Sequence, residues 1–283
     1  MPGNNPLLRN WQSELKVFQT NLSLLRKEMN GDAIHELRVA IKKLRSYFKL
    51  YVALVKKNDG GQLPGKTREL FTVLGKNRNL EMCRELVLSF GGKKNKSLHS
   101  LLLYLQLLQD QTSEYCQEAI KNFKIKELKE LTEELENDLE KSEPGEILNG
   151  TGVMIASLME HTRDNMVSFG DRSHLIRKDL KDIFYMDRIF KENKVLKRSQ
   201  SKEIDRILIH LGNVQDHEVM ITNLEHFRKT IISKGDVGYE LIKEIELKGE
   251  KKKSSLLEKA ATLTEALLKD YKKTDAEVEG ISK

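Results

Sequence analysis

Apolar residues recur at three- and four-residue intervals along most of the chain, and runs with strict two-residue alternation are missing. The first spacing keeps side chains on one face of a helix; the second would mark strands. The pattern predicts helices over about 7–29, 32–57, 66–89, 97–122, 124–141, 147–168, 173–197, 199–232 and 238–273. The breaks between and within these segments carry the residues that supply turn conformations. They are Asn58-Asp59-Gly60-Gly61-Gln62-Leu63-Pro64-Gly65, Gly91-Gly92-Lys93-Lys94-Asn95-Lys96, Ser142-Glu143-Pro144-Gly145, Asn149-Gly150-Thr151-Gly152, Gly170-Asp171-Arg172-Ser173 and Gly235-Asp236-Val237-Gly238. The expectation is an all-α fold. The Pro144-Gly145 break divides it into residues 7–141 and 146–273, which together form one functional domain.

The 32–57 segment is the most regular. Asp32 is the predicted N-cap, offering a side-chain oxygen to the open amides of the first turn. Ile34, Leu37, Ile41, Leu44, Phe48, Tyr51 and Val55 form an apolar seam. His35, Arg38, Lys42, Arg45 and Lys49 repeat that spacing one residue later. One residue is about 100° of helix rotation, so this basic row lies beside the seam and not opposite it. A row flanking the core is placed to line a groove between packed helices.

A second such row begins at His174 and continues through Arg177, Lys181 and Arg188, beside Ile176, Leu180 and Ile183. Phe184 stands where the first row has Arg45, Ser173 stands where it has Ile34, and Lys178 supplements the charge. Each row precedes a Leu-Gly element, Leu74-Gly75-Lys76-Asn77-Arg78-Asn79 in the first half and Leu211-Gly212-Asn213-Val214-Gln215-Asp216 in the second. Gly75 lies 40 residues after His35 and Gly212 lies 38 residues after His174. Near-constant spacing points to a duplicated half-chain. Two similar helical halves packed about an approximate two-fold axis would bring the rows face to face, as two walls of one anion-binding groove. Both glycines fall inside helical stretches, at a cost of about 1 kcal/mol relative to alanine. A close helix crossing or a bend would explain them.

Charge sharpens this picture. The 283 residues hold 49 Lys and Arg against 43 Asp and Glu, a net charge of +6. Residues 126–146 are strongly acidic, so positive charge gathers in 35–49, 66–84 and 177–206. Such segregation favours a polyanionic partner. Cys83 and Cys116 are the only cysteines and are too few for a disulfide framework or a thiolate metal site. No run of apolar residues is long enough to span a membrane, and the N-terminus, Met1-Pro2-Gly3-Asn4-Asn5-Pro6, lacks a secretory pattern. A cytoplasmic location is expected.

The paired motifs resemble those of the CHAD family, the histidine-containing α-helical domain, from about residue 7 to residue 273. The resemblance implies an all-helical pair of bundles around a basic cavity, binding of inorganic polyphosphate and association with polyphosphate granules. It establishes no catalytic activity, and neither catalysis nor a cofactor is expected. By motif position His35, Arg38, Lys42 and Arg45 carry over from the first repeat, and His174, Arg177 and Lys181 from the second. Asn79 replaces the usual aspartate after Arg78, Gln215 precedes Asp216, and Phe184 replaces a basic residue.

Polyphosphate has no bases to read, so its recognition rests on repeated oxyanion contacts. Arginine grips such oxygens bidentately and lysine supplies a mobile point charge. A protonated histidine donates from both ring nitrogens, so binding should tighten as pH falls through the histidine range. Lys49, Lys66, Arg68, Arg78, Arg84, Lys178, Arg188, Arg198, Lys202 and Arg206 are the supporting candidates. No aromatic residues interleave regularly with the basic rows, and no groove-reading element is evident, so nucleic acid is unexpected except as a competing polyanion. Glu244-Ile245-Glu246-Leu247-Lys248 matches the Glu-x-Glu-x-Lys pattern of triphosphate tunnel metalloenzymes but lies in a helical context. His217 and His226 are too awkwardly spaced for a clean metal pair and are expected at helix interfaces. An enzyme acting on polyphosphate or on a phosphorylated metabolite, and a granule-recruiting scaffold or general nucleic-acid-binding protein, are the alternatives.

Overall fold

The computed structural model describes residues 5–56, 61–140, 142–190 and 195–281, with side chains described up to Tyr271. The N-terminal residues before Asn5, the Asn58-Asp59-Gly60 part of the first predicted break, Lys141, and residues 191–194 of the predicted 173–197 helix lie outside the described residues. Among the described residues there is no strand, and the all-α expectation holds.

The helices are α1 (Pro6–Leu25), α2 (Gly31–Tyr51), α3 (Gly65–Gly91), α4 (His99–Asn122), α5 (Lys126–Leu139), α6 (Pro144–Asn165), α7 (Phe169–Asp187), α8 (Arg198–Thr230) and α9 (Tyr239–Ile281). A π-turn, Val52–Lys56, continues α2. The N-cap of α2 is Asn30 and not Asp32. Asn30 Oδ1 accepts from the amides of Asp32 at 2.8 Å and Ala33 at 3.1 Å. Asp32 sits in the first turn instead, where its carboxylate meets the positive end of the helix dipole.

Two predicted breaks are helical. The 3-10 turn Met166–Ser168 makes the bend between α6 and α7, so Gly170 falls in the first turn of α7. Gly150 lies within α6, where a Cβ would collide with the Leu54 side chain; its small size admits the end of the α2 segment. At the other end of α7, the Asp187 carboxylate accepts from Leu196 N at 3.0 Å and from the Ser201 hydroxyl at 2.6 Å. These bonds fold the chain back into α8.

The packing repeats along the chain. α1 lies along α2 and α6 along α7; α3 lies along α4 and α8 along α9. Across the middle, α2 meets α7 and α3 meets α8. The main core cluster draws on both sides of Pro144, from Trp11, Phe18 and Leu37 to Ile155, Ile183 and Leu211. A second cluster joins Cys83, Val87 and Leu101 of α3 and α4 to Met220, Leu224 and Ile245 of α8 and α9. Each cluster therefore combines both halves, and neither half closes a core of its own.

Candidate functional site

Most of the α2 seam is buried: Leu37 and Leu44 have no exposed surface, and Phe48 is half-buried. That anchoring turns the adjacent basic row toward α7, and the seam of α7, with Ile176, Leu180 and Ile183 equally buried, does the same from the other side. Between them, roofed by α3 and α8, is a cleft of about 510 Å³. α2 contributes His35, Arg38, Lys42 and Arg45; α7 contributes His174, Arg177, Lys178 and Lys181. Phe71, Arg78, Asn79 and Met82 come from α3, and Leu211, Val214, Gln215, Asp216 and Glu218 from α8. Both predicted rows thus face one cleft, with Arg78 between them ion-paired to Glu81, and Asp216 and Glu218 are the acids among the described residues that line it.

Three predicted residues stand elsewhere. Lys49 is ion-paired with the buried Asp182 and lines an adjoining lobe. Arg188 leaves the row at the end of α7 and stacks over Phe184, 3.8 Å from the ring centre. Arg206 is paired with Glu203 at 3.0 Å outside the cleft. Among the weaker candidates, Lys66 pairs with Glu69 at 2.9 Å, and Arg84 donates to Gln106 at 2.8 Å. Arg68 lines the adjoining lobe, while Arg198 and Lys202 are exposed at the start of α8, outside the cleft.

Arg38 is the most firmly held cation of the cleft. Its guanidinium donates to the Phe71 carbonyl at 2.7 Å and lies 4.4 Å from the Phe71 ring centre. Gly75 leaves the space it occupies, because a Cβ there would overlap the guanidinium. Gly212 faces Arg177 in the same manner, with more room: a Cβ would stand 3.5 Å away. The Leu-Gly elements are therefore partners of the basic rows. Phe71, Gly75, Arg78 and Met82 share one face of α3 at helical spacing. That spacing was available in the sequence; the role of Phe71 under Arg38 was not.

Crowding and burial set the electrostatics. Burial, reinforced by Lys42, Arg177, Arg45 and Arg38, pulls the Lys181 ammonium down to about 6. Burial and then Arg38, Arg177 and Arg45 bring Lys42 to about 8. Arg38 falls to about 10 for the same reason, with burial first and Arg177 next. His35 is lowered by burial and then by Lys42, so the free protein disfavours its charged form. Asp216 is raised by burial, against the pull of Arg177. The Nε atoms of Arg45 and Arg177 are buried without a hydrogen-bond partner. Like charges held this close, with donors unsatisfied, favour a bound anion.

The other sequence signals resolve as structure. Glu244, Glu246 and Lys248 lie on α9, where Glu246 accepts from Arg228 at 2.9 Å and Lys248 pairs with Glu244 at 2.7 Å. His217 is at a helix interface, donating from Nδ1 to Asn213 O at 2.7 Å, and His226 stacks near Tyr104. Among the described residues no group of three or more His, Cys, Asp or Glu side chains is placed to hold a metal ion. No helix among them is long and apolar enough to cross a membrane.

The family model of the CHAD domain matches residues 10–225. The fold is similar to the crystal structure of the CHAD domain from the plant Ricinus communis, with a TM-score of 0.66. That likeness covers 92% of this chain and 91% of the other at 15% identity, so it speaks to architecture alone. No curated protein matches the chain. Since the family match takes in well over half of the residues, including both basic rows and both Leu-Gly elements, the chain belongs to the CHAD domain family.

Proposed function

We propose that the cleft binds inorganic polyphosphate without cleaving it, and that the protein thereby associates with polyphosphate granules in the cytoplasm. One observation supports this reading: both histidine-led rows line the same cleft, where Asp216 and Glu218 are the acids among the described lining residues and Glu81 pairs with Arg78. A flexible chain of phosphates is the polyanion that matches a narrow cationic slot. Duplex nucleic acid needs a docking element for its grooves. Single strands need open aromatic faces, and Phe71, the aromatic residue of this cleft, is covered by Arg38.

The test is a salt-dependent binding series against polyphosphate, RNA and DNA of matched charge, with Arg38→Ala and Arg177→Ala. Each substitution should weaken polyphosphate binding about tenfold with helicity unchanged. The slope of affinity against salt should fall by about one contact, that is about 0.7–0.9. Equal affinity for RNA at the same salt would remove the preference for polyphosphate. Asp216 and Glu218 support a second reading, in which a divalent metal at these carboxylates assists phosphoanhydride hydrolysis. The raised Asp216 carboxyl, set against Arg177, fits charge balance better. Orthophosphate release from polyphosphate with magnesium or manganese would favour the enzyme; none is expected.

A further inference from the structure

The basic cleft does not end at Arg45. A second lobe of about 540 Å³ adjoins it between α2 and the start of α3. Lys42, Arg45, Phe71 and Lys178 line both, so the two spaces adjoin across these side chains. The second lobe adds Lys49 and Arg68, and among the described residues that line it none is acidic. Lys49 is already paired with Asp182, which leaves Arg68 as the main new charge. Arg68 is exposed, its guanidinium has no partner among the described residues, and Lys178 and Arg45 lead toward it from the main cleft.

The extension is one-sided. On α7 the position matching Arg45 holds Phe184, and Arg188 folds back over that ring. Neither residue lines the cleft. Among the described residues the cationic track therefore continues past the end of the first row and stops at the end of the second. Along α2 alone, His35 to Lys49 spans about 21 Å at the helical rise per residue.

Resting on the polyphosphate reading above, we infer that the second lobe is a chain-extension subsite, which gives the protein a preference for long polyphosphate over short oligophosphates. A short anion such as tripolyphosphate is satisfied within the main cleft by Arg38, Lys42, Arg177 and Lys181. A longer chain passes Arg45 and Lys178 and places later phosphates against Arg68.

The experiment compares tripolyphosphate with a size-fractionated chain of tens of phosphates, titrated calorimetrically at fixed salt. The proteins are the unaltered chain, Arg68→Glu, Arg68→Ala, Arg177→Ala and Arg188→Ala. Arg68→Glu should weaken the long chain about tenfold and leave tripolyphosphate within twofold. Arg68→Ala should lower the salt slope for the long chain by about 0.7–0.9, the share of one phosphate contact. Arg188→Ala should change neither ligand, because that side chain lies on Phe184 outside the track. Loss of both ligands in Arg68→Glu, or of neither, overturns the extension. Arg177→Ala reports on the main cleft: if it binds both ligands unchanged, the polyphosphate reading itself fails. Arg68 is exposed, so its two substitutions leave folding unaffected, and circular dichroism checks helicity in all the variants.

Discussion

Gly75 shows how a single missing methyl group can serve a binding site. In an ordinary helix interior, alanine is about 1 kcal/mol better than glycine. At Gly75 that gain comes with a collision, since the new Cβ would overlap the Arg38 guanidinium. The obstacle is the far end of a flexible side chain, so the backbone need not move. Arg38 must instead leave the Phe71 carbonyl and ring that now fix it. Gly75→Ala should therefore fold normally and lose affinity for polyphosphate about as much as Arg38→Ala, about tenfold. Adding it to Arg38→Ala should cost nothing more, which is the non-additivity expected of coupled residues. Gly212→Ala is the contrast. Its Cβ would make ordinary contact with Arg177 at 3.5 Å, so binding should be retained. Its melting temperature should rise by about 2 °C, the shift that about 1 kcal/mol gives in a protein of this size. Calorimetric titration and thermal melts of the four proteins decide the matter.

At the scale of the element, α7 is the fastening helix. Three buried carboxylates on it hold three neighbours. Asp179 is hydrogen-bonded to His161 of α6 at 2.7 Å, Asp182 takes Ser46 and Lys49 of α2, and Asp187 takes Leu196 N and Ser201 at the start of α8. Removing Asp182 leaves Ser46 buried and strips Lys49 of its partner. Breaking a buried pair costs about 3–5 kcal/mol, but Lys49 keeps some access to water. Asp182→Ala should thus lower the unfolding free energy by about 2–3 kcal/mol, read from the urea midpoint, whereas alanine at the exposed Asp205 should leave it unchanged. The same carboxylates mark what sequence periodicity can and cannot convey. Helical spacing gives the direction in which a side chain leaves its helix, so the rows from His35 and His174 were legible as walls of a groove. It does not say what stands opposite. Lys49 continues the row at the right spacing, yet Asp182 from another helix captures it; Arg188 has the right charge, yet Phe184 lies within its reach. Local competition misled in the same way at Asp32, where Asn30 two residues earlier offered an equally good cap. Gly150 and Gly170 read as breaks because a helix can carry glycine when neighbours or a preceding turn make room for it.

For the whole molecule, the cleft is a store of unfavourable charge that an anion relieves, and pH should reveal it. The Lys181 ammonium titrates near 6 in the folded protein, far below an ordinary lysine, and Lys42 near 8. Between about 6 and 10 the unfolded chain accordingly holds more protons at these positions than the folded one. The free protein should then gain stability as pH rises through that window and lose it as pH falls. Bound polyphosphate reverses the balance, since its oxygens favour the charged lysines and a charged His35. Binding at pH 7.5 should take up protons, and affinity should rise as pH drops from about 9 to about 6. Calorimetry in two buffers of different ionisation enthalpy measures the uptake directly. Histidine alone would confine the change to the range around its ordinary value near 6.5; the two lysines extend it upward. Lys181→Met separates these contributions. It keeps the apolar stem, removes the titrating group, and should raise the melting temperature of the free protein near pH 6 while reducing proton uptake on binding. If uptake is unchanged in Lys181→Met, the ammonium is not among the groups that the phosphate chain recharges, and the cleft binds through its arginines and histidines alone.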